Sequence, residues 1–242
     1  MRLLDLTKLI ICAGFAIVAG FAAGATPVNV PDTMAERVKA CVICHGVEDR
    51  MGRDGYYPRI AGKPERYLFN QLRNFRDGQR YYRPMAMLLA DVSDQYLLEM
   101  AAYFSALEQP YATPERLATT PEEVRLARKL IHQGDAARKI PACTECHGKQ
   151  LMGTAPFIPG LLGLPRAYMT AQFGAWKSGG MIRGKTLDCM SEIAKQLSSE
   201  EINALAAWLA AQPVPENAAP ALVLPVEMAR RCASIIQRDG GQ

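Results

Sequence analysis

Two copies of Cys-x-x-Cys-His stand 102 residues apart, Cys41-Val42-Ile43-Cys44-His45 and Cys143-Thr144-Glu145-Cys146-His147. Two thiols at this separation can add to the two vinyl groups of one porphyrin, and the adjacent imidazole then reaches its iron. Two of the three histidines in the chain are used in this way. Two Cys-x-x-Cys pairs could instead make a four-thiolate zinc site, and one pair a redox dithiol. Neither explains a histidine directly after the second cysteine in both copies, and the dithiol wants a βαβ context absent from this sequence. The expectation is two covalently attached haem c groups, with His45 and His147 as iron ligands.

The remaining axial position decides the chemistry. A thioether closes the iron and raises its potential, which suits electron transfer; an open site would allow peroxide chemistry. His132 is the one histidine left, so paired histidines at both irons are excluded within this chain. Met85 or Met87 can serve the first copy, and Met181 or Met190 the second. Met85 lies eight residues before Ser93, and Met190 eight before Ser198. The same register would match Met87 to Glu192 and Met181 to Arg76, so Met85 and Met190 are the expected ligands. Pro58 and Pro159 recur at one repeat position, where a backbone carbonyl could accept the outer N–H of each proximal imidazole. His132 reads as a helix-end surface residue. Arg59, Arg66, Arg73, Arg76, Arg80 and Arg83 make the first copy locally basic, for propionates, for an acidic partner or simply for solvent.

These side chains need a scaffold that is itself duplicated. Pro58, Gly62, Pro64, Tyr67 and Gln71 return 101 residues later as Pro159, Gly163, Pro165, Tyr168 and Gln172. Leu68, Leu72 and Phe75 return as Met169, Phe173 and Trp176, and Leu97, Met100, Ala101 and Phe104 as Ile202, Leu205, Ala206 and Leu209 at an offset of 105. Each set forms one apolar helix face. Each copy thus reads as a helix near the haem motif, a middle helix and a last helix. Met34 to Ala40 should run directly into Cys41, whereas the helix 122–131 is separated from Cys143 by a loop. Ser198 with Glu201 makes a capping box for the last helix, while Ser93 caps its counterpart without one. No strand pattern is convincing, so the fold class is all-α: two tandem domains, 26–109 and 122–212, joined by a Pro- and Thr-rich linker, 110–121. A tail, 213–242, begins Pro/Ala-rich and then offers Val226, Ala229, Cys232, Ala233 and Ile236 as one face of a docking helix.

Residues 1–25 carry Arg2 and Lys8, an apolar run from Leu9, and Ala23-Gly24-Ala25 at its end, the form of a secretory signal peptide. The run is at the lower limit of a membrane span, so an uncleaved anchor is the alternative. Export to the periplasm fits haem c and argues against a cytosolic zinc protein. The formal net charge of +4 falls to +3 without this segment, too mild for a nucleic-acid partner. Cys189 and Cys232 are left over and could pair, although pairing cannot be read from sequence.

The haem motif followed by Pro-Arg-Ile-Ala-Gly-Lys-Pro-Glu-Arg-Tyr-Leu (58–68), a methionine eight before a Ser-Asp cap, and Ala-Ala-Tyr-Phe (101–104) resemble the dihaem cytochrome c4 family. Ile140-Pro141-Ala142-Cys143 and the stretch from Met190 to Leu209 extend the likeness, which covers roughly 30–212. It implies two class I cytochrome c domains with facing haems, carrying single electrons in the periplasm toward a terminal oxidase, with a quinol-oxidising complex or a dehydrogenase as donor. The chain would be membrane-anchored if the leader is retained, and peripheral membrane association is a separate expectation. The chain departs from the pattern at Phe157-Ile158-Pro159-Gly160-Leu161-Leu162-Gly163, where the family has a lysine after the proline, and at Cys189. The principal expectation is an electron carrier without substrate chemistry. A subunit docked to a dehydrogenase through its tail is the second, and a dihaem peroxidase with one openable iron the third.

Overall fold

The computed structural model describes residues 30–46, 56–116, 119–179 and 189–232; the leader, Met181, Ala233 and Ile236 lie outside them. In the first copy α1 (Met34–Arg37) and α2 (Lys39–His45) precede α3 (Glu65–Arg76), α4 (Arg83–Leu89) and α5 (Asp94–Ala106). Ser93 accepts the Tyr96 N–H and starts α5, whose apolar face then buries Leu97, Met100, Ala101 and Phe104 against Leu68 and Phe69 of α3. Each of the larger side chains contributes about 1.5–3 kcal/mol on full burial.

The single helix expected from Met34 to Ala40 is broken at Val38, which has φ −92° and ψ 7°. Val38 is 1% exposed. The break lets it fill the core while the next turn puts Cys41, Cys44 and His45 on a cleft wall.

The second copy repeats this order with additions. Helix α6 (Pro121–His132) is followed by α7 (Cys143–His147), α8 (Arg166–Lys177), α9 (Cys189–Gln196) and α10 (Ser199–Ala210). Helix α6 starts one residue earlier than its periodicity suggests, because Thr120 and Glu123 form a capping box with Pro121 in the first turn. The predicted box of Ser198 and Glu201 is present on α10. Ala127, Leu130 and Ile131 of α6 share one core with Leu205, Ala206 and Leu209 of α10. Gly134 turns the intervening loop at φ +66°, where a Cβ would stand 2.3 Å from the Ile140 carbonyl.

Strand is confined, among the described residues, to β1 (Gly153–Thr154) and β2 (Ile158–Pro159), antiparallel with Thr154 opposite Ile158. The tail adds to this hairpin: Ala155 donates to the Ala221 carbonyl and Ala221 to that of Gly153, at 2.8 and 2.9 Å. After α11 (Val226–Arg231) it ends its described course in a Cys189–Cys232 disulfide. The predicted docking face is partly wrong, since Val226 is 69% exposed. A three-residue stride falls short of a helical turn by about 60°, so Val226 and Cys232 lie on different faces.

The linker is stapled at both sides. Arg59, expected as a surface or propionate cation, is 6% exposed. It lies 4.0 Å over the Tyr111 ring and donates to the carbonyls of Gln109 and Pro110. On the other side Glu115 donates its N–H to Ala210 and accepts the Arg166 N–H.

Candidate haem clefts

Each copy encloses one apolar cleft, about 1790 Å³ in the first and 1750 Å³ in the second, open mouths included. In the first, α2 presents Cys41, Cys44 and His45, and α4 presents Met85. His45 Nδ1 is 2.9 Å from the Pro58 carbonyl. A carbonyl only accepts, so Nδ1 carries the proton and Nε2 keeps its lone pair for a metal. The second cleft repeats this with His147 Nδ1 2.7 Å from the Pro159 carbonyl, and with Cys143, Cys146 and Met190 in its walls. Burial lowers the pKa of His45 and brings that of His147 down to about 4, so both imidazoles are neutral, as iron ligation requires. Burial also raises the Cys41 thiol and pushes Cys143 up to about 12.

The methionine alternatives separate in the first copy: Met85 packs on the core and lines the cleft, whereas Met87 is 67% exposed. In the second, Met190 lines the cleft, and Met181 falls outside the described residues. His132 is exposed at the end of α6, with the Trp208 ring edge-on at 6.1 Å.

The clefts share a wall. Lys63, Tyr67, Gln71, Arg80, Tyr168 and Gln172 border both. Tyr67 and Gln71 are the repeat partners of Tyr168 and Gln172, so the duplicated positions meet across the joint. Arg80, lying over the Phe75 ring, donates to Gln71 Oε1 at 2.6 Å, Gln172 Oε1 at 2.5 Å and Tyr168 Oη at 3.3 Å. Lys63 donates to the Gly160 carbonyl at 3.2 Å, and burial, with Arg59 nearby, depresses its pKa to about 8. Recurrence of these residues was visible in the sequence, but it marked them as repeat positions and not as a joint. The cue available was their spacing, which places Tyr67 and Gln71 on one face of α3.

These features fit two haem groups. The cleft walls are apolar, each holds two thiols, a neutral imidazole and a thioether, and the polar groups gather at the common wall. There Lys63 and Arg80 bond neutral acceptors rather than carboxylates, and Asn70, in the wall of the second cleft, has both side-chain polar atoms buried without a partner. Propionates would complete such a wall. The zinc alternative has no site among the described residues, where no three His, Cys, Asp or Glu side chains cluster.

No family model matches the chain. Among individual proteins, a thiosulfate dehydrogenase electron acceptor of Thiomonas intermedia (strain K12) is 36% identical over 72% of this chain and 79% of its own length. A cytochrome c4 of Pseudomonas aeruginosa is 32% identical over 74% of this chain and 87% of its own. The chain belongs to the cytochrome c4 family. The crystal structure of reduced recombinant cytochrome c4 from Pseudomonas stutzeri superimposes on it with a TM-score of 0.64 at 30% identity, over 74% of this chain and 97% of that one. The protein is therefore a pair of tandem class I cytochrome c domains carrying two covalent haem c groups, and its work is electron transfer between redox proteins rather than enzymatic conversion. Among the described residues of this cytochrome, no helix is long and apolar enough to cross a membrane.

Proposed function

We propose that His45 with Met85, and His147 with Met190, hold the two irons of a periplasmic shuttle that takes single electrons from a dehydrogenase and delivers them to a terminal oxidase. The observation carrying the ligand sets is the repeated pairing of a neutral, carbonyl-bound imidazole with a methionine at one register in each cleft. Bound haem supplies an iron that gains or loses one electron. The chain does the rest: Pro58 and Pro159 orient the imidazoles, the methionines deny the metal to small ligands, and apolar walls exclude water. Lys63 and Arg80 supply positive charge where the two sites adjoin. The leader, read as a signal peptide, supports the periplasmic location.

A dehydrogenase is favoured over a quinol-oxidising complex as donor, because the Thiomonas relative at 36% identity is named for accepting electrons from thiosulfate dehydrogenase. The same relative supports the second reading, a subunit that stays docked to its dehydrogenase; co-purification of a dehydrogenase subunit at native expression favours that reading, and its absence favours the free shuttle.

Potentiometric titration of Met85→Ala and Met190→Ala beside the parent tests the ligands. Each variant should lower one potential, by a sizeable part of the ~0.8 V range that axial ligands span, and should open one iron to carbon monoxide. If neither variant does so, the assignment fails.

A further inference from the structure

The Cys189–Cys232 disulfide has no counterpart in the first copy. Cys189 is the first described residue of α9 and is followed directly by Met190; both cysteines line the second cleft, 5% and 2% exposed, with Cα atoms 5.2 Å apart, a separation a disulfide spans. At the repeat offset of 105, Cys189 falls on Pro84 of the first copy. Pro84 sits in the first turn of α4 immediately before Met85, where its fixed φ pre-organises the helix start. In α9 that device is missing, and a helix of eight residues is marginal by itself.

The tail runs between the two ligand sides of the same cleft. At one end Ala221 is hydrogen-bonded to Gly153 and Ala155, and the hairpin is tied to the haem motif by Thr154 Oγ1, which donates to the Cys146 carbonyl at 2.7 Å. At the other end Cys232 is bonded beside Met190. We propose that this disulfide is a positioning clamp that takes the place of Pro84: it fixes the start of α9 so that Met190 stays on the second iron, with the tail as its anchor. The proposal rests on Met190 being that ligand.

Non-reducing peptide mapping of the full exported protein should first recover the linked Cys189 and Cys232 peptides; two free thiols would overturn the clamp. Cys232→Ser should then keep two haems but raise the carbon-monoxide-reactive fraction of the second haem about tenfold, as a loss of ~1.4 kcal/mol in methionine binding would. It should also lower that haem's potential and leave the first haem unchanged. Adding Cys189→Pro to Cys232→Ser should restore closure, because it rebuilds the arrangement of the first copy. A general loss of stability would move both haems and would not be rescued in this way. If Cys232→Ser matches the parent in potential and carbon monoxide response while Met190→Ala opens the iron, the clamp alone falls. If Met190→Ala leaves the second haem unchanged, the ligand reading falls with it.

Discussion

In the first copy the motif's His45 is half-buried, and Met85 sits on a helix whose neighbouring Met87 is 67% exposed. In the second, His147 is 6% exposed, the cleft is hemmed by a hairpin and by the tail, and the helix bearing Met190 is covalently held. Both copies offer the same candidate donors, two cysteines, a histidine and a methionine, in the same order. Among the described residues they differ in what encloses those donors, and enclosure sets the local dielectric and so the cost of the extra charge on an oxidised iron. The repeat carries the same candidate donors in both copies, and the described packing around them is unequal.

The strongest way to break this comparison is to remove one attachment motif at a time. Cys41→Ala with Cys44→Ala should leave a protein whose mass shows one covalent haem, in the second copy, and Cys143→Ala with Cys146→Ala should leave one in the first. If either pair of changes eliminates both haems, the copies do not mature separately.

A smaller effect concerns potential. Each motif histidine has a cation near it, Arg80 for His45 and Lys63 for His147, so the deeper burial of His147 is what disfavours the oxidised state more strongly in the second site. Its haem should be the higher-potential one, by on the order of 60 mV, the one-electron equivalent of a tenfold preference. Assigning the two waves with the Met85→Ala and Met190→Ala variants checks the order, and a reversed order would mean that enclosure does not control it.

The smallest expected difference lies in acid stability. Glu201 closes the capping box of α10 and pairs with Arg138, which holds its carboxyl below the ordinary 4.5, whereas the first copy has Ser93 without a box. A carboxylate depressed in the folded state stabilises fully above its unfolded value and loses that contribution as pH falls through the folded one. Glu201→Gln should therefore cost about 1 kcal/mol at pH 7 and almost nothing once the parent carboxyl is protonated. Denaturant titration at the two pH values, following each haem's absorbance, would register this; an equal loss at both would remove the ionic argument.

Much of this was legible before any coordinates. Cys-x-x-Cys-His is a local motif whose geometry is set within five residues, and the helix faces of Leu97 to Phe104 and of Ile202 to Leu209 follow from period alone. The shared wall was not legible, because Arg80 reaches Gln172 across 92 positions and Lys63 reaches Gly160 across 97. Arg59 looked like a surface cation, since composition cannot show that Tyr111 and two linker carbonyls would enclose it. Val226 was misplaced for a different reason, a helical stride extended beyond where its drift matters.

The sequence by itself determined the covalent chemistry, the number of haem groups and the register of the two attachment motifs, because those depend on atoms a few bonds or one helical turn apart. Tertiary structure alone decided that Tyr67 and Gln71 would meet their own duplicates, that Cys189 would find Cys232, and that, among the described residues, His147 would be more enclosed than His45. Those outcomes depend on how two separately encoded surfaces fit together, and burial and charge screening are properties of the assembled space around a group, not of its neighbours in the chain.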